Sequence, residues 1–173
     1  MCGIDTFKID LKGLKESVTT LEYSLDNGFF EAIDACDVQR GELHTEVTIT
    51  KVADFFRLCF HTTGMVHIPC DLCLDDMDQP IDTTDEIVVK FGAENREDDE
   101  VIIVAEDEGI LDTAWLIYEF IALNIPIKHV HAPGKCNPAM SKMLAEHDAA
   151  RSSEADGERP VDPRWSALLK LKE

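Results

Sequence analysis

The chain has 173 residues, enough for one ordinary domain and an appendage. Hydrophobic residues make up 45% and charged residues 29%, the balance of a globular chain rather than a disordered one, and no apolar run approaches the roughly 18 residues that a membrane-spanning helix needs. The net charge of −19 is uneven: residues 70–127 hold 17 acidic groups against Lys90 and Arg96, whereas residues 128–173 hold 8 basic against 7 acidic. The acidic middle should repel phosphate backbones and suits a cationic ligand or a basic protein. Met1 to Leu11 already carries Asp5 and Asp10 and lacks the basic start and apolar core of a signal peptide, so a soluble, cytosolic protein with reduced cysteines is expected.

The N-terminal half reads as β-structure. Phe7, Ile9 and Leu11 alternate, and Leu21, Tyr23 and Leu25 share a face of a second candidate strand over 18–25. Asp26-Asn27-Gly28 signals a turn or a helix start, and Phe29 to Ala35 reads as a short helix burying Phe29, Phe30 and Ile33. From Glu42 the alternation is clear in Leu43, Thr45, Val47 and Ile49. It repeats in Phe56, Leu58, Phe60 and Thr62, and Met65 to Ile68 continue it after Gly64. A further strand is expected over about 85–91. An antiparallel meander of this kind makes a twisted sheet or a small open barrel.

After the acidic loop Glu94 to Glu100 comes an apolar run, Val101 to Val104. The strongest helix signal spans about 111–123, where Leu111, Trp115, Tyr118 and Leu123 recur at helical spacing and Pro126 ends the run. A short helix is expected near 142–147. The polar run Arg151 to Glu158 is expected to be mobile. Asp162-Pro163 is a good helix start for Trp165, Leu168, Leu169 and Leu171. The expected organisation is therefore a single α+β domain over 1–137, a polar linker over 138–160, and a C-terminal docking helix over 161–173.

Chemistry concentrates in cysteine and histidine. Cys70-Asp71-Leu72-Cys73 is a CxxC, and His129-Val130-His131 leads to Cys136 some sixty residues later. Two thiolates three residues apart can meet one tetrahedral ion from a tight turn, and a third thiolate with an imidazole closes the shell. The economical set is Cys70, Cys73, Cys136 and His131 or His129, a structural zinc site with no open position for water. A redox CxxC is disfavoured because the motif runs into Leu74-Asp75-Asp76-Met77-Asp78-Gln79-Pro80, a poor start for the long helix that would lower a thiol pKa. Asp75, Asp76 and Asp78 lack the glycine and closing glutamate of a calcium loop. No phosphate loop, nucleophile elbow or HExxH is found, so no catalytic residue is assigned.

Three segments carry a family resemblance: Cys70-Asp71-Leu72-Cys73-Leu74 after Val66 to Ile68, Glu119 to Pro126 leading into His131 and Cys136, and Asp162-Pro163-Arg164-Trp165 with Leu168 and Leu171. Together they resemble the YceD family of large ribosomal RNA subunit accumulation proteins. The resemblance implies a small non-enzymatic cytosolic factor needed for accumulation of large-subunit ribosomal RNA. Genes of this family often lie beside one for a small large-subunit ribosomal protein, and some relatives carry a second cysteine pair where this chain has His131 and Cys136. The expected partner is a basic ribosomal or assembly protein, met by acidic residues in 71–86 and 94–108, with no membrane and no small-molecule substrate. The alternatives are direct RNA binding through Lys128, Lys135, Lys142, Arg151, Arg159 and Arg164, and a zinc-holding interaction module unrelated to ribosomes.

Overall fold

A computed structural model describes residues 4–98 and 101–147. A short 3-10 turn, Ile4–Phe7, opens the chain, and Lys8–Asp10 (β1) follows it. Val18–Leu25 (β2), Arg40–Val52 (β3), Phe55–Pro69 (β4) and Asp76–Gly92 (β5) form an antiparallel meander. Arg96–Asp98 (β6) and Val101–Ala105 (β7) complete an open six-stranded sheet in the order β2-β3-β4-β5-β7-β6. Ile110–Asp112 (β8) pairs with β1 in a separate two-stranded ribbon. The α+β class and the open meander are as the alternation indicated.

One face of the meander is buried, and its rungs show why the register is fixed. Leu21–Val47–Phe60, Thr19–Ile49–Leu58 and Leu25–Leu43–Gly64 form rungs across β2, β3 and β4. Slipping any strand by one residue would turn this apolar set to solvent. Between these rungs lies a polar one, Tyr23-Thr45-Thr62-Thr83. Thr45 and Thr62 are buried, and their hydroxyls satisfy one another at 2.9 Å. Asn27–Ala32 (α1), capped by the Asp26 carboxylate on the Phe29 N–H, adds Phe29 and Phe30 to this core.

Ala114–Asn124 (α2) covers the same core with Ala114, Leu116, Ile117, Tyr118 and Ile121, and the Phe120 ring lies 5.3 Å from that of Phe60. It begins later than the spacing suggested. Leu111 belongs to β8, and Thr113 joins β8 to the helix by giving its N–H and hydroxyl to the Phe7 carbonyl. The helix turns Trp115 and Leu123 outward, although both belong to its apolar period. Pro138–His147 (α3) is the last described helix and buries no side chain. It takes up the start of the stretch expected as linker. The rest of that stretch and the expected terminal helix at 161–173 lie outside the described residues. No described helix is long and apolar enough to cross a membrane.

One strand departs from the sequence reading, and a second, found where the apolar run is strand-like, pairs in a direction that the run did not specify. β5 starts at Asp76, nine residues before the strand expected over 85–91, because its first half alternates without much hydrophobicity. Met77, Gln79, Ile81 and Thr83 point inward while Asp76, Asp78, Pro80 and Asp82 face solvent. The run Val101 to Val104 does not extend the antiparallel meander; β7 pairs with residues 88–92 of β5 in parallel, and β6 folds back along its far side within the expected acidic loop.

Gly64 has φ +147 and stands opposite Leu43 of β3. A Cβ there would meet the Glu42 carbonyl oxygen and lie 2.6 Å from the Leu43 Cα, both backbone atoms that cannot rotate away. Gly64→Ala should therefore cost about 2–3 kcal/mol, read as a lowered urea midpoint at unchanged slope.

Candidate metal centre

The turn of the long β4–β5 hairpin is the CxxC itself. Pairing runs from Phe56 opposite Val89 down to Pro69 opposite Asp76, and Cys70 to Asp75 close the end. The Cys70 N–H donates to the Asp75 carbonyl and the Leu74 N–H to the Cys70 carbonyl, each at 2.9 Å. Leu74 takes the left-handed conformation (φ 61), an uncommon position for a branched side chain, and the reversal lets both sulfurs face the same side. Cys70 and Cys73 are buried.

The second half of the site arrives from the segment after α2. The Asp71 N–H donates to the His129 carbonyl at 3.0 Å, and the His129 N–H returns a bond to the Asp71 carboxylate at 2.8 Å. This two-way bridge fastens the segment to the CxxC turn. Gly134 supplies the left-handed bend (φ 79) that carries the chain round to Cys136. Asn137 then accepts the N–H groups of Ala139 and Met140 at the start of α3, while its own amide donates to Asp75 at 3.1 Å.

The result is a four-donor cluster. Cys70 Sγ lies 3.9 Å from Cys136 Sγ, His131 Nδ1 lies 3.3 Å from Cys73 Sγ and 4.0 Å from Cys136 Sγ, and all four donor atoms lie within 4.8 Å of one another. Tetrahedral zinc with its usual bond lengths sets sulfur–sulfur separations of about 3.8 Å and sulfur–nitrogen separations of about 3.6 Å. The four residues thus stand where they could hold one such ion. The imidazole is oriented for it: Nε2 lies 3.2 Å from the Asp76 carbonyl, a bond that places the ring proton there and leaves the Nδ1 lone pair toward the sulfurs.

Electrostatics make the same point from another side. Burial pushes the Cys70 thiol up, but N–H groups of Cys73, His131 and Leu72 and the His131 ring outweigh it and bring its pKa down to about 6. The His131 pKa is raised, chiefly by its hydrogen bond to Cys70. Cys136 is driven up to about 11, first by burial and then by facing the sulfurs of Cys70 and Cys73. The Cys70 thiolate is ready at neutral pH, and Cys136 ionises there only with a cation among the sulfurs.

The sequence left two histidines open, and the geometry separates them. His131 joins the sulfurs; His129 turns away, with Nδ1 3.0 Å from the Pro126 carbonyl and Nε2 3.4 Å from Asp71. The three aspartates that hinted at calcium also part company: Asp75 takes Asn137, Asp76 takes Arg40 at 2.6 Å, and Asp78 takes His67 at 2.7 Å. The role of Asp71 as the bridge to His129 had no sequence signal beyond lying between the cysteines.

In metal-free, reduced protein, Cys70 should ionise below the ordinary thiol range and Cys136 above it. Ultraviolet thiolate absorbance followed with pH checks the order: Cys70→Ser should remove the low-pH rise and Cys136→Ser the high-pH one, and identical titrations for the two variants would contradict it.

Comparison with curated proteins and with solved structures gives no match. Residues 58–172, more than half of the chain, match the family described as Large ribosomal RNA subunit accumulation protein YceD. That span takes in most of β4, and β5, α2 and all four donors. The chain belongs to the YceD family.

Proposed function

We propose that this protein is a non-catalytic factor that supports accumulation of large-subunit ribosomal RNA by binding a basic ribosomal or assembly protein, and that a structural zinc ion on Cys70, Cys73, His131 and Cys136 holds its contact surface together. The family match carries the first part, because the family description itself implies a role in large-subunit ribosomal RNA accumulation. The charge supports the second: a net of −15 over residues 70–127 is unsuited to phosphate and complementary to a cationic protein. The cytosol is the compartment that fits reduced thiols and a ribosomal role.

The zinc reading rests on the donors rather than on any bound ion. Three sulfurs with one imidazole are a soft, closed set that favours zinc over hard cations. Its place also suits a clamp. It would tie the end of the β4–β5 hairpin to the segment joining α2 and α3, and α3 has no buried side chain of its own to hold it.

RNA contact is the second reading, and one observation favours it. Lys128, Lys135 and Lys142 are all exposed and follow one another around the same segment and into α3. Of the other basic residues considered, Arg151, Arg159 and Arg164 lie outside the described residues.

Protein purified without chelator should hold about one equivalent of zinc by plasma mass spectrometry. Cys73→Ser and His131→Ala should lose it, whereas His129→Ala should keep it. Removing the metal should cost about 4 kcal/mol of stability if free zinc stands a thousandfold above its dissociation constant. Metal-free protein with an unchanged melting curve would end the clamp idea.

The partner is tested by a tagged pull-down divided in two, with RNase added to one half before washing. Retention of large-subunit proteins after RNase is the expected result. Their loss with the RNA would move the contact to Lys128, Lys135 and Lys142.

A further inference from the structure

Much of the acidic stretch is already answered within the chain. On the outer face of the sheet Asp76, Asp78, Asp82 and Glu86 stand in a row on β5, and each meets a basic group or an imidazole from β3 or β4. The pairs are Arg40–Asp76, His67–Asp78, His61–Asp82 and Arg57–Glu86, at 2.6 to 3.2 Å. A partner docking there would have to displace these contacts. The stretch that carries α2 is poorer in cations: residues 106–127 contain Glu106, Asp107, Glu108, Asp112 and Glu119 and no lysine, arginine or histidine, and from outside it Lys8 stands opposite Asp112 and the Lys12 side chain lies against Gly109.

The same helix shows an apolar stripe to solvent. Trp115, Glu119 and Leu123 lie at successive intervals of four, and Ile127 follows just past the helix end. Trp115 is 51% exposed, Leu123 82% and Ile127 103%, so Leu123 and Ile127 are open to solvent and Trp115 is half open. Trp115 is also held in position. Its indole N–H donates to Glu119 at 2.9 Å, and its ring lies 5.1 Å from Tyr118, whose hydroxyl accepts the Asp37 N–H at 3.2 Å. An aromatic ring fixed beside the Glu119 carboxylate is a contact surface whose ordering cost is already met.

We propose that the outward stripe of α2, Trp115 with Leu123 and Ile127, is where a basic amphipathic segment of the protein partner docks. The inference rests on the partner reading above and narrows it to one face. An arginine of the partner would stack on the indole and reach Glu119, while apolar side chains of the same segment cover Leu123 and Ile127. The stripe leads along the chain directly to His129, which is bonded to Asp71 of the CxxC turn, so the docked segment would end beside the metal centre.

The test uses the full-length chain in the RNase-treated pull-down, with Trp115→Ala and Leu123→Ser against Asp78→Asn and Asp82→Asn as controls. The expected result is at least a tenfold loss of retained basic large-subunit proteins for either α2 variant, with zinc content and circular dichroism unchanged, and full retention for both controls. Two variants are used so that loss of folding in one does not decide the outcome. Full retention by Trp115→Ala and Leu123→Ser would overturn the α2 surface while leaving the partner reading intact. If the wild type retained no basic protein, the partner reading itself would fail and this surface with it. Tryptophan emission in a Trp165→Phe background reports Trp115 alone and should be that of a half-exposed indole, shifting to the blue on adding the captured protein. Emission that reddens on Leu168→Ser would assign the stripe to the chain's own C-terminal segment, and emission that reddens on dilution would assign it to a second copy. Either of those would overturn the proposal.

Discussion

The β4–β5 pairing governs where nearly everything else can lie. Fourteen opposed residue pairs run without a bulge from Phe56–Val89 to Pro69–Asp76. One face of that ladder is buried, and the two-residue period of a strand allows no slip along it. The register places Cys70 and Cys73 at the turn, and it places the Asp76 carbonyl at the spot that orients His131. Gly64 is the one position in β4 where this regularity needs a residue without a side chain, because β3 crosses too near. The four-residue cluster is thus built on the end of the longest ladder of the sheet, with only its histidine and third cysteine brought in from elsewhere.

Those latecomers are held by polar bonds rather than by packing. The Asp71–His129 bridge and the Asn137–Asp75 bond are both near the surface, where a single hydrogen bond is worth about 1 kcal/mol. α3, which buries nothing, hangs from the same anchorage. A closed four-donor set at this junction suits a region that lacks the apolar area to fix itself. This is why the cluster reads as a structural clamp, with its function expressed on the surfaces it holds.

Sequence reasoning reached the fold class, the meander and the donor residues because each leaves a periodic or spaced mark. Leu43, Thr45, Val47 and Ile49 alternate, and CxxC is a short-range motif. It stopped where the deciding force acts at long range. The first half of β5 was missed because its inward residues include Gln79 and Thr83, and its outward aspartates are tolerated by cross-strand partners that no local window contains. The parallel placement of β7 is a matter of topology, which an apolar run of five residues does not encode. Trp115 and Leu123 fit the helical period, so the sequence counted them inward. The structure shows that the core needs only the face centred on Ile117 and Ile121. The choice of His131 over His129 depended on a carbonyl 55 residues away.

The separation of the donors has a temporal consequence. Cys73 and His131 are 58 residues apart and Cys70 and Cys136 are 66 apart, with three strands of the main sheet, β8 and α2 between them. Contacts of such long range form only after the intervening loop entropy has been overcome by other structure. The hairpin can close and α2 can dock before the cluster exists, but the cluster cannot assemble first. The four residues therefore come together on a largely finished domain, and an incompletely folded chain presents only a lone cysteine pair.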